Sequence, residues 1–223
     1  MIRYSLEWFD KHIDSMIDKL GSDYFPLQIK LERFETMVYD FIRETTDYFE
    51  ATQELSDDLK TLLVEGKFDV EKESLSFGNN IWNLPEPADY LRLVSVIPVI
   101  HDSITGKDTV KAKKVSILKK GQGIAYERDP FRSASAEYPN VYRMTNFFKI
   151  DVGTDQTIYN KAYICYVKKP TIANMGEPTK RIVNLNDIAI EKICLKTADS
   201  LRITTGDVNA APNYQFNSSF GKR

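Results

Sequence analysis

The run Leu59-Lys60-Thr61-Leu62-Leu63-Val64-Glu65-Gly66-Lys67-Phe68-Asp69-Val70 is where the chain changes its period. Before it, apolar residues recur every three or four positions, the spacing of one helix face. From Phe68 onward they alternate with charges, the spacing of one strand face. Leu55, Leu59, Leu62 and Leu63 share one side of a helix predicted over 48–64, which Gly66 closes. Toward the N-terminus two more helices are expected. Ser5 caps the first, whose apolar positions are Leu6, Phe9, Ile13, Met16, Ile17 and Leu20, and Gly21 ends it. Pro26 suits the first turn of the second, with Leu27, Leu31, Phe34, Val38, Phe41 and Ile42 as its stripe and a break at Thr45-Thr46-Asp47. Three helices joined by short loops favour an antiparallel bundle.

Toward the C-terminus the pattern is β-rich. Phe68 and Val70, then Leu75 and Phe77, alternate as in a hairpin, and a longer run over 91–100 follows the turn Leu84-Pro85-Glu86-Pro87. Pro98 inside that run argues for a sheet edge or a bulge. His101 to Asp108 reads as a loop and Val110 to Val115 as a strand; Ser116 then caps a short helix to about Glu127. Strands are predicted over Val141–Met144, Phe147–Val152 and Ile158–Val167, and Pro170 stops the last. Asn184 or Asn186 caps a final helix carrying Ile190, Ile193, Cys194, Ala198 and Leu201, with Gly206 at its end. The expected class is α+β. It comprises an N-terminal helical bundle over 1–66, a central β-rich domain over 67–183 (a sandwich or small barrel-like sheet), and a C-terminal helix over 184–206 packing back on the bundle. An extended tail over 207–223, flexible or docked on a partner, follows.

The chain of 223 residues, 42% hydrophobic and 28% charged, has the composition of a globular protein with a real core. No apolar run approaches the roughly 20 residues of a membrane span, and Met1-Ile2-Arg3-Tyr4 lacks a signal-peptide core, so a soluble, non-secreted protein is expected. Two cysteines, Cys165 and Cys194, give no disulfide framework, and with two histidines they leave little material for zinc. Charge is unevenly spread. Residues 1–66 carry 7 Lys/Arg against 15 Asp/Glu, and residues 101–170 carry 13 against 7. Such asymmetry suits a subunit whose one half attracts the other half of its neighbour.

Catalytic patterns are sparse. Ser116-Ile117-Leu118-Lys119 has the S-x-x-K form without its partner motifs, and Gly121-Gln122-Gly123 lacks the third glycine of a dinucleotide fingerprint. Ile104-Thr105-Gly106-Lys107-Asp108 lacks the remaining residues of a phosphate-binding loop. His12 reads as a helix-surface residue, and His101-Asp102 has no nucleophile motif to serve. The sequence points to a protein that is not an enzyme and uses no cofactor or metal.

Several phrases occur together in order: Phe49-Glu50-Ala51-Thr52-Gln53 with Asp57-Asp58-Leu59-Lys60; Leu84-Pro85 leading to Asp89-Tyr90-Leu91-Arg92; Asp129-Pro130-Phe131-Arg132; Val141-Tyr142-Arg143; and Tyr166-Val167-Lys168-Lys169-Pro170. Over about residues 45–205 this set resembles virion structural proteins of crAss-like short-tailed phages, the ring or adaptor components of the head–tail connector. The resemblance implies a helical adaptor core with a β-rich insertion, assembled in the host cytoplasm and carried in the virion at the head–tail interface. It implies a ring, typically of twelve copies, below the portal, with portal, neighbouring ring or tail proteins as partners. Genomic double-stranded DNA would pass through without sequence-specific binding and leave by the same channel on ejection; no membrane is implied. The family's last helix often starts with a Leu-Pro-Glu run, where this chain has Val183-Asn184-Leu185-Asn186-Asp187.

Two sets of residues are expected to act in such a ring. Glu32, Glu35, Asp40, Glu44, Asp47, Glu50 and Glu54 line or flank the lumen, where carboxylates repel phosphates and let DNA slide. Tyr214, Phe216 and Phe220 anchor the polar tail on the portal or a neighbouring ring. The alternatives are another tail-tube or tail-completion component, or a DNA-binding module using the basic segment 107–132.

Overall fold

A computed structural model describes residues 2–18, 25–47, 57–73, 80–118, 133–154 and 157–204. The chain is a mixed α+β protein whose described residues hold three long helices, a helical turn at 57–59 and nine strands in two sheets. It divides into two compact units, one made of residues 1–62 and 170–223, the other of residues 63–169.

The helical unit contains α1 (Leu6–Asp18), α2 (Leu27–Asp47) and α3 (Asp187–Thr204). Ser5 caps α1 as its sequence requires, its Oγ accepting from the Trp8 N–H at 3.2 Å. The apolar stripes meet: Phe9, Ile13 and Ile17 of α1 and Phe34, Val38 and Ile42 of α2 are buried, with the Phe9 and Phe34 rings 4.8 Å apart. The inner face of α3 (Ile190, Ile193, Cys194, Leu201) packs on both. Lys30 lies on the buried side of α2, one turn before Phe34, and is only 2% exposed. Its ammonium meets Asp10 at 2.8 Å and Asp14 at 2.5 Å, which face it one turn apart on α1. A buried cation is tolerated only when paired, so this clamp fixes the register of α1 against α2.

The segment 170–186 belongs with the helices, whereas the sequence reading put 170–183 in the β domain. Single bridges join Ile172 to Val183 and Ser5 to Arg181, and the Ile182 N–H donates to the Tyr4 carbonyl at 2.8 Å. Tyr4 adopts φ 61°, a left-handed conformation costly for a bulky side chain. It is held there by burial against Trp8 and by the Arg3 and Arg181 guanidinium groups over its ring. Asn186 is the cap of α3, its Oδ1 accepting from the Ala189 N–H at 2.7 Å. Its amide donates to the buried Asp58 carboxylate at 2.9 Å, and Lys192 meets the same carboxylate at 3.0 Å. Asn184 does a different job. Its carbonyl accepts from the Thr61 hydroxyl at 2.6 Å, and its Oδ1 accepts from the Thr171 N–H at 2.8 Å.

The β unit has two sheets. One has the order β1 (Leu63–Asp69), β9 (Lys161–Lys168), β4 (Tyr90–His101), β5 (Asp108–Thr109). The other runs β2 (Glu71–Lys72), β3 (Ile81–Pro85), β8 (Phe147–Asp151), β7 (Asn140–Arg143), β6 (Ser116–Leu118). Both feed one core. Tyr90, Val96, Ile164 and Tyr166 come from the first sheet, and Trp82, Leu84, Val141, Phe148 and Ile150 from the second. Pro98 pairs only with β9, because β5 reaches no further than Ile100 and His101 on the other side. That is the open-edge position a residue without an N–H tolerates. Gly153 takes φ 65°, and a Cβ there would collide with the Ala134 carbonyl.

Four expectations are corrected. The helix expected over 48–64 ends early: 57–59 is helical, 60–62 turns and β1 begins at Leu63, while 48–56 lies outside the described residues. Gly66 stands in the middle of β1 opposite Ile164, where a side chain would strike the Phe68 ring; it makes room and ends nothing. β1 pairs with β9, and the hairpin strand expected over 75–77 lies outside the described residues. Ser116 starts β6, parallel to β7, with Leu118 buried and Ile117 exposed, so ladder pairing overrides its capping chemistry. Residues 110–115 form no strand.

Replacing Lys30 by alanine strands Asp10 and Asp14 beside a cavity, and the expected loss is about 3 kcal/mol of helical-unit stability. Lys30→Met keeps the volume and loses less. Urea unfolding of both variants checks this; equal stability of wild type and Lys30→Ala would remove the clamp from the account.

Candidate functional site

The acidic residues singled out in the sequence do not share one surface. Glu32 and Glu35 border an open groove between α2 and the 170–175 segment, whose apolar lining includes Leu31, Tyr39, Ile172 and Met175. Glu32 accepts from the Gln28 amide at 3.1 Å, and neither carboxylate meets a cation among the described residues. Glu44 follows Glu35 by about two and a half turns and so lies on the opposite side of α2. There it meets Lys196 of α3 at 2.6 Å. Asp40 pairs with Arg43 at 3.0 Å. The Asp47 side chain, Glu50, Glu54 and the tail aromatics Tyr214, Phe216 and Phe220 lie outside the described residues.

α3 carries exposed apolar residues as well as buried ones. Away from its main buried face it presents Ile188 at 62%, Leu195 at 48% and Ile203 at 45% exposure, with Lys192 among them and the buried Asp199 between Leu195 and Ile203. Lys192 falls between Ile188 and Leu195 on the same side. The sequence reading listed the inner positions and passed over these outer residues, although their spacings of seven and eight are visible in the sequence.

No family model matches this chain, and no curated protein matches it in sequence. The chemistry must be read from the residues. Among the described residues no group of three or more His, Cys, Asp or Glu is placed to hold a metal ion, and no helix is long and apolar enough to cross a membrane. In the basic segment Lys113 pairs with Glu137 at 2.8 Å and Lys111 donates to the Thr157 hydroxyl; 119–132 lies outside the described residues. His12 stacks on Trp8 at 4.3 Å and meets Glu191 at 3.1 Å.

The densest polar cluster gathers residues from four strands of the first sheet. Asp108 of β5 accepts from Lys67 of β1 and from His101 Nδ1 of β4, each at 2.6 Å, and from the Tyr163 hydroxyl of β9. Those hydrogen bonds, Lys67's foremost, hold its carboxyl well below the usual carboxylate range, and Asp108 in turn raises Lys67. A carboxylate saturated by three donors has little basicity left, so the cluster ties β5 and β1 across the sheet and offers no general base. No local pattern announces it, because its members are far apart in sequence.

The folded-state pKa of Asp108 is depressed, so its contribution to stability is complete above the ordinary carboxylate range and is lost progressively as pH falls below that range toward the folded value. Asp108→Asn is therefore expected to unfold at lower urea than wild type at pH 7, with the gap beginning to narrow below about pH 4. Urea midpoints at pH 7 and pH 3 test this; an unchanged gap would mean that ionisation plays no part.

Proposed function

We propose that this chain is a structural subunit of a phage head–tail connector, assembling head to tail into a ring below the portal through which double-stranded DNA passes. The observation that carries the reading is the set of exposed apolar residues on the outer side of α3, Ile188, Leu195 and Ile203. An exposed helix of a solitary globular unit keeps its outer side polar, whereas α3 leaves Ile188, Leu195 and Ile203 uncovered among the charges of that side. The ordered phrases over 45–205 supply the kind of assembly, and the opposite charges of residues 1–66 and 101–170 suit a contact between two different surfaces of identical subunits.

In this reading the helices form the adaptor bundle and the two sheets a sandwich inserted into it. Of the acidic set, Asp40 and Glu44 are spent on Arg43 and Lys196, and Asp47, Glu50 and Glu54 further along the chain front the channel and discourage phosphate binding. The tail aromatics Tyr214, Phe216 and Phe220 dock on the portal or an adjacent ring.

The test is co-expression with the portal protein encoded in the same genome, followed by negative-stain electron microscopy and mass measurement of the complex. Rings stacked coaxially on the portal, with this chain in equal copy number, are expected. Free portal beside unbound chain would overturn the connector reading.

A further inference from the structure

The groove on α2 and the outer stripe of α3 have matching chemistry on different sides of the helical unit. The groove is concave, apolar along Leu31, Tyr39, Ile172 and Met175, and rimmed by Glu32 and Glu35, whose charges no described cation neutralises. The stripe is convex and apolar at Ile188 and Leu195, with Lys192 between them. Positions i, i+4 and i+7 are the anchors with which a helix enters a groove. Lys192 already meets Asp58 at 3.0 Å, yet its side chain is 41% exposed and an ammonium has three protons to donate.

A subunit cannot fill its own groove with its own α3. The inner face of α3 is committed to α1 and α2, and it meets α2 through Glu44, on the side opposite Glu35. Resting on the ring reading, we infer that the α3 stripe of one copy seats in the α2 groove of the next. Ile188 and Leu195 pack against Tyr39 and Met175, and Lys192 faces Glu32 and Glu35. The contact joins two different surfaces, so it repeats from copy to copy and closes when the rotation per subunit divides a full turn. Its apolar part is a handful of side chains, well short of a standard stable interface, so single contacts are weak and the portal nucleates the ring.

The experiment is cysteine cross-linking on the portal complex. Tyr39→Cys and Leu195→Cys are combined in a Cys165→Ala background and treated with a short bismaleimide. A ladder of multimers reaching the full ring is expected from the double variant, with the single variants giving none. Leu195→Asp, at an exposed position, is expected to keep the wild-type thermal unfolding midpoint and to lower ring occupancy on the portal at least tenfold. Rings visible by microscopy with no ladder and undiminished occupancy in Leu195→Asp would overturn this interface while leaving the ring reading standing. A link formed within one chain would overturn it equally. Absence of rings from the wild-type complex would instead strike the ring reading itself.

Discussion

The pairing of Leu63 with Val167, the first of seven paired positions between β1 and β9, holds together the two ends of an insertion more than a hundred residues long. Closing a flexible loop of that length costs about 4 kcal/mol of chain entropy beyond a constant, and the cost rises only slowly with length. The ladder offsets it with backbone hydrogen bonds and with cross-strand neighbours at every rung. On the helical side Asn184 makes the matching closure, receiving Thr61 just before the chain leaves and Thr171 just after it returns. One residue thus secures both crossings, and the adjacent Asn186 caps α3 and holds Asp58. The helical unit, split in sequence, is made continuous in space by this short asparagine-containing segment.

Inside that unit, specificity rests on polar pairs as much as on apolar stripes. Apolar faces of similar width could slide by a turn with modest loss, but the Lys30 ammonium between Asp10 and Asp14 accepts one register. Asp58 with Asn186 and Lys192 acts alike where the turn over 57–62 meets the start of α3. Such pairs contribute little net energy over well-packed apolar substitutes, yet every misregistered arrangement would leave a buried charge unpaired.

The elements legible in the sequence were those whose periodicity extends over many residues: α1, α2 and α3, and the alternating strands β7, β8 and β9. The run from Leu59 to Val70 misled because Leu59, Leu62 and Leu63 satisfy a helical spacing. Leu59 ends a helical turn and Leu62 lies in the turn that follows, both buried, and Leu63 opens a strand. Short apolar runs leave helix and strand undecided, and here the long-range partner β9 decided. Lys30 could have been noticed, since it falls on the stripe one turn before Phe34. The Asp108 cluster could not, since Lys67, His101, Asp108 and Tyr163 meet only once the strand order exists. Of the acidic set, helix geometry alone separates Glu35 from Glu44, a distinction that counting charges by segment conceals.

Paired antiparallel residues have Cα atoms about 5 Å apart, so residues 63–169 begin and end at nearly one point. An insertion with coincident ends imposes no span on its host. The β unit can lengthen, shorten or change its surface from one descendant to another while Thr61 and Thr171 stay on Asn184. Selection on the helical unit and selection on the inserted one are thereby uncoupled, and the inserted unit is free to diverge with whatever it touches.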